Sequence, residues 1–233
     1  MVAAMDRANP QSFTIDVGKT TSVSALLTKP ARASACLVFA HGAGAGMTHS
    51  YMEAVAAGLA ARDIATLRYQ FPYMEKKSKR PDPPAVAQAT VRAAVETAAR
   101  ALPGLPLIAG GKSFGGRMTS QAQAKQPLAG VHGLAFFGFP LHGVGQPSIE
   151  RAAHLADIRV PMLFLQGTRD KLAELDLLRP VVEGLGARAT LHLVEGADHS
   201  FHVPVRSGRN DDDVMQEVLD TFVAWIAKIA RHV

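Results

Sequence analysis

The chain has 233 residues, 48% of them hydrophobic, enough for one substantial core and too few for two comfortable domains. Lysine and arginine outnumber aspartate and glutamate by 25 to 20, a formal charge of +5. The excess is dispersed, without the aromatic interleaving of a base-stacking surface, which argues against nucleic acid as a partner. No run approaches the roughly eighteen apolar residues of a membrane span, and the N-terminus lacks the basic start and apolar stretch of a signal peptide. A lone cysteine, Cys36, precludes an internal disulfide and suits a reducing cytoplasm.

In chain order, Phe13–Asp16 and Val23–Leu27, joined around Gly18-Lys19, predict an N-terminal hairpin. Strands are then expected at Ala35–Ala40, Ala65–Tyr69, Leu107–Gly110, Val131–Phe137, Met162–Gln166 and Thr190–Val194. Helices are expected at Ser50–Arg62, Ala85–Ala101, Arg117–Lys125, Leu172–Leu185 (kinked or split by Pro180) and Asp212–His232. This alternation predicts one α/β domain over residues 1–233, a mostly parallel twisted sheet with helices on both faces. The unbroken apolar character of Leu37-Val38-Phe39 and Met162-Leu163-Phe164-Leu165 suits strands buried on both sides, with Cys36 as a buried structural thiol.

On such a sheet, functional groups belong at the carboxyl ends of the strands. Ser113 stands there, in Gly111-Lys112-Ser113-Phe114-Gly115. G-x-S-x-G between a strand and a helix is the turn that lifts a serine above the sheet edge, and its flanking positions tolerate almost no side chain. A serine hydroxyl needs a base, usually an imidazole oriented by a carboxylate. Of the nine histidines, His132 and His192 fall inside strands, and His154 and His232 in helices. His41 and His49 precede the serine. His142 and His202 remain, but His199 follows the last strand most directly and is the candidate base.

Asp170, in the loop after Met162–Gln166, is the candidate acid, and a helix N-cap is its competing role. Asp176 and Asp198 are less well placed. The glycine-rich His41-Gly42-Ala43-Gly44 loop suits backbone donors for a developing oxyanion, with Ala43 first, Gly44 next, and the N–H of Phe114 as the second donor. It lacks the lysine-serine/threonine ending of a phosphate loop, so no nucleotide is expected. His199 and His202 lack the further ligands of a metal site, so no metal or other cofactor is expected.

HGAGAG, GGKSFGGRM, LQGTRD and GADHSF, in this order, resemble the α/β-hydrolase superfamily over essentially the whole chain. The chain is most similar to small lidless hydrolases related to dienelactone hydrolase, and among them to the group sharing a domain with a vertebrate testis-expressed protein and a chromatin-complex subunit. Phe71-Pro72-Tyr73, Arg80-Pro81-Asp82-Pro83-Pro84 and Phe139-Pro140-Leu141-His142 carry the narrower likeness. The resemblance implies an α/β-hydrolase fold without a large cap. It also implies Ser113 as nucleophile, Asp170 as orienting acid, His199 as base, and Phe114 and Ala43 as oxyanion donors.

Dienelactone hydrolase uses a cysteine nucleophile; serine at this position favours ordinary ester hydrolysis. A small-molecule ester is therefore the expected partner, with Phe71, Tyr73, Phe114, Leu141 and His142 as candidate pocket walls. Lys112 and the Lys76–Arg80 cluster are candidate anion-steering groups, although a solvated loop is the simpler reading of the cluster. A catalytically silent binding protein of the same fold, or a thioesterase, peptidase or acyltransferase with the same triad, stays open at this stage.

Overall fold

A computed structural model describes residues 9–229. Eight strands form one sheet in the order β1-β2-β4-β3-β5-β6-β7-β8. β1 (Gln11–Val17) and β2 (Thr21–Thr28) make the expected hairpin, turning through Gly18 at φ +69°, and β2 joins β4 (Ile64–Tyr69) antiparallel. The remaining neighbours are parallel: β3 (Ala35–Ala40), β5 (Leu107–Lys112), β6 (Val131–Phe137), β7 (Met162–Gly167) and β8 (Ala189–Val194). The helices are α1 (Ser50–Ala60), α2 (Pro72–Glu75), α3 (Pro84–Ala101), α4 (Phe114–Lys125), α5 (Leu175–Gly184) and α6 (Asp211–Ile229).

The central strands β3 and β7 each serve two cores, which is why their sequences are almost continuously apolar. Cys36, Val38 and Ala40 of β3 face the side holding Val91 and Ala94 of α3 and Met118 of α4. Leu37 and Phe39 face the side holding Val55 of α1 and Phe222 of α6. β7 divides likewise, with Met162 and Phe164 on one side and Leu163 and Leu165 on the other. At about 1.5–3 kcal/mol for each large side chain removed from water, these two layers supply the main drive to fold.

Several boundaries differ from expectation. α4 begins at Phe114 rather than Arg117, because the serine turn feeds straight into the helix through Gly115-Gly116. Glycine's poor helix propensity hides that start in the sequence. α5 begins at Leu175, three residues later than expected, because Asp170 organises a turn ahead of it, and the helix runs unbroken through Pro180. α2 and a 3-10 segment at Glu150–Asp157 were not expected; both are too short for a periodic signal. The expected end of the last helix, residues 230–232, lies outside the described residues. Between β6 and β7 the chain forms only a loop and that 3-10 segment, with no cap domain.

Candidate active site

Ser113 occupies the step from β5 to α4 with φ +50° and ψ −114°, a sparsely populated conformation for a residue with a Cβ. Such a conformation costs on the order of 1–3 kcal/mol and persists only where the surroundings enforce it. The flanking glycines report that enforcement. A Cβ on Gly111 would lie 2.5 Å from the Ala40 carbonyl oxygen, and one on Gly115 would lie 2.6 Å from the carbonyl oxygens of Ala40 and His41. Both obstacles are backbone, so neither can turn aside.

The half-buried Ser113 hydroxyl lies 2.8 Å from His199 Nε2, and His199 Nδ1 lies 2.6 Å from Asp170 Oδ2. A carboxylate only accepts, so Nδ1 carries the proton and Nε2 of the neutral ring accepts from the serine. The Asp170 side chain is fully enclosed, whereas the imidazole is 24% exposed. Asp170 Oδ2 also accepts from Gln166 Nε2 at 2.5 Å, and Oδ1 accepts from the Leu172 backbone N–H at 2.8 Å. The carboxylate thus both orients the histidine and organises the turn ahead of α5. Gln166 is fully buried, and its Oε1 accepts from the Phe139 N–H at 2.9 Å, tying the β6 loop to the acid.

The loop after β3 passes beside the serine: a Cβ on Gly42 would lie 3.8 Å from Ser113 Cβ. Its orientation comes from His41, which is wholly buried. Nε2 accepts from the Phe71 N–H at 3.0 Å, so Nδ1 carries the proton and donates to the Gly42 carbonyl at 2.8 Å. Burial holds the imidazole neutral, pushing its pKa down to about 4, partly offset by the bond to Gly42. In a trans peptide the carbonyl of Gly42 and the N–H of Ala43 point oppositely, so fixing one aims the other. Among the described residues, no hydrogen bond consumes the Ala43 N–H. Phe114, first residue of α4, has no intrahelical acceptor for its N–H. Farther along the loop, Met47 is held from β4 and the residue after it: its N–H donates to Gln70 Oε1 at 2.8 Å and its carbonyl accepts from Arg68 Nη1 at 2.9 Å.

The candidate wall residues behave differently from expectation. Phe71 and Leu141 are fully buried, and Tyr73 and His142 are 2% exposed. Phe71, Leu141 and His142 support the site rather than forming its surface. Phe71 packs edge-on behind Phe114 at 5.4 Å between centroids, and the Tyr73 hydroxyl donates to the Gly42 carbonyl at 3.4 Å. His142 Nδ1 donates to the Gly143 carbonyl at 2.8 Å, and its Nε2 lies against the Glu174 carboxylate without hydrogen-bond alignment. Tyr73 borders a concavity of about 680 Å³ shared with Lys76, Ser78, Arg80 and Pro81–Pro84, and the fifth candidate, Phe114, is 8% exposed.

Gln166, His41, Arg68 and Gln70 were missed as supporting residues by sequence reasoning. Gln166, a primary amide at the end of an otherwise apolar strand, was the one legible hint. Cys36 is fully buried, and burial raises its thiol pKa to about 12. Among the described residues, no three histidine, cysteine, aspartate or glutamate side chains converge as metal ligands, and no helix is long and apolar enough to cross a membrane.

A family model described as an alpha/beta hydrolase domain matches residues 33–227. Solved structures with the same fold include a dienelactone hydrolase from Anabaena variabilis, 20% identical at a TM-score of 0.75, covering 94% of this chain and 98% of that one. A lidless α/β serine hydrolase from Xanthomonas campestris is 18% identical at a TM-score of 0.71, covering 95% and 97%. Est1E from Butyrivibrio proteoclasticus, solved with ferulic acid bound, is 16% identical at a TM-score of 0.72, covering 92% and 99%.

Proposed function

The chain belongs to the alpha/beta hydrolase domain family, and on that premise we propose that it is a cytoplasmic serine hydrolase of small carboxylic esters. The observation that carries this reading is the unbroken chain Ser113 Oγ, His199 Nε2, His199 Nδ1, Asp170 Oδ2, at 2.8 and 2.6 Å, on a strained turn. Ser113 attacks the ester carbonyl as His199 Nε2 takes its proton, and Asp170 stabilises the resulting imidazolium. The carbonyl oxygen becomes an anion and receives the N–H groups of Phe114 and Ala43, each such donor being worth about 3–4 kcal/mol in related chemistry. Collapse breaks the bond to the alcohol, which leaves with the proton from His199, and the acyl group stays on Ser113. Water then attacks that ester, His199 accepts its proton, and the acid departs as Ser113 regains its hydrogen.

Two features support a small-molecule ester as substrate. No cap covers the serine in the described fold, and the elbow position holds serine rather than cysteine. The test is covalent labelling with a fluorophosphonate, wild type against Ser113→Ala. Labelling of the wild type that disappears in the variant supports the reading; a folded wild type that takes no label refutes it in favour of a silent scaffold. A panel of p-nitrophenyl esters, matched thioesters and methyl ferulate then separates ester from thioester chemistry. Ferulate is included because Est1E binds ferulic acid.

A further inference from the structure

The side chain of Lys112, the last residue of β5, has no part in the proton relay, yet it reaches from the oxyanion loop to the histidine loop. A Cβ on Gly42 would lie 3.6 Å from Lys112 Cγ, and one on Gly138 would lie 3.0 Å from Nζ and 3.4 Å from His199 Nδ1. The ammonium donates to the His199 backbone carbonyl. It stands 5.2 Å from the Phe201 ring centroid and 5.9 Å from that of Tyr51, two rings stacked at 6.0 Å and 7°.

Apart from Lys112, the turn carrying His199 is held by bonds within itself, to the loop after β7, where the Arg169 N–H donates to the Ala197 carbonyl at 2.9 Å, and to α6, where Asp211 Oδ1 accepts from the Val203 N–H at 3.0 Å. The Asp198 N–H donates to the His202 carbonyl at 3.0 Å, the Phe201 N–H donates to the Asp198 carbonyl at 3.0 Å, and Asp198 Oδ1 accepts from the N–H groups of Ser200 and His202. None of these bonds ties the turn to the strand bearing the nucleophile; Lys112 does.

We propose that Lys112 is a positioning residue for His199, its ammonium holding the backbone of that histidine so that the imidazole stays in line between Ser113 and Asp170. The proposal rests on His199 acting as the base. A packing role alone would be better served by an apolar side chain, since enclosing an ammonium is costly. Burial pushes the Lys112 pKa down to about 8, against the opposing pull of Asp170 and Asp198. The groups facing it are Asp170 after β7, Asp198 and His199 after β8, and Tyr51 on α1. The charged form therefore predominates below about pH 8 and is lost as pH rises through it.

The test compares wild type with Lys112→Met and Lys112→Gln. It reads fluorophosphonate labelling rate between pH 6 and 10, the melting temperature, and the proton NMR resonance of the His199 Nδ1–H held by Asp170. In Lys112→Met, labelling should slow by about 10- to 100-fold, the scale expected for a small misplacement of a catalytic group. The melting temperature at pH 7 should hold or rise, because an enclosed charge has gone, and the Nδ1–H resonance should broaden or vanish. Wild-type labelling should decline above pH 8; Lys112→Gln, which keeps a donor without the charge, should label more slowly but without that decline. A Lys112→Met protein with wild-type labelling, wild-type pH profile and an unchanged resonance overturns the proposal. Complete absence of labelling in the wild type would refute the hydrolase reading instead, and the NMR resonance would still decide whether Lys112 holds His199.

Discussion

Gln166→Leu isolates what a polar side chain does beneath the site. Leucine is close to glutamine in size, so the change removes hydrogen bonds with little change in volume. The Phe139 N–H loses its acceptor, formerly at 2.9 Å, in a region where Phe139 is 1% exposed. Stranding a buried donor costs about 1–3 kcal/mol. Asp170 Oδ2 loses its second donor, formerly at 2.5 Å, and a bond to a charged group contributes about 1.5–3 kcal/mol. With some local relaxation, the sum is about 3–5 kcal/mol. For a domain of this size each kcal/mol moves the melting temperature by roughly 2–4 °C, so a fall of about 6–20 °C is expected by scanning calorimetry. Fluorophosphonate labelling should slow as well, since Asp170 would be less firmly held. A melting temperature within about 2 °C of wild type would refute the assignment of both bonds.

Two further outcomes follow from buried groups. Below its ordinary value of 6.5, His41 takes up a proton in the unfolded chain while remaining neutral in the folded one until about pH 4. Stability should therefore fall as pH drops from 6.5 to 4, by up to about 3 kcal/mol from this residue, with His154 adding to the same trend. Urea midpoints across that range should show a shallower pH dependence in His41→Phe, and the variant should lose about 10-fold or more in ester turnover as the Gly42–Ala43 peptide comes free; an unchanged pH slope would count against the buried neutral imidazole. Cys36, fully buried with its thiol pKa raised to about 12, should resist an aromatic disulfide reagent in the native protein and react at once in guanidinium. Rapid native reaction would mean that β3 opens far more readily than its two-sided burial implies.

The candidate machinery was readable where chemistry and local geometry coincide. Ser113 could be singled out because the elbow needs bare positions at Gly111 and Gly115, and His199 because it follows the last strand directly. Phe71, Leu141 and His142 are buried where walls were expected, for a physical reason. Phe71, Tyr73, Leu141 and His142 do sit at strand ends, but whether a side chain there points outward or packs inward depends on neighbours from other elements. Phe71 lies beneath Phe114 and beside His41, which come from α4 and the β3 loop.

The order of residues was therefore sufficient for the layered sheet, since two-sided burial writes continuous apolar runs into β3 and β7, and for the turn that exposes Ser113. Its reach ended with the polar side chains that tie distant segments together. Lys112 meets a carbonyl 87 positions away, Gln166 an N–H 27 positions away, and Arg68 a carbonyl 21 positions away. Such bonds leave no periodic trace, because each is satisfied only once the chain has closed. Their partners were decided by the folded packing, where any polar group removed from water must find one.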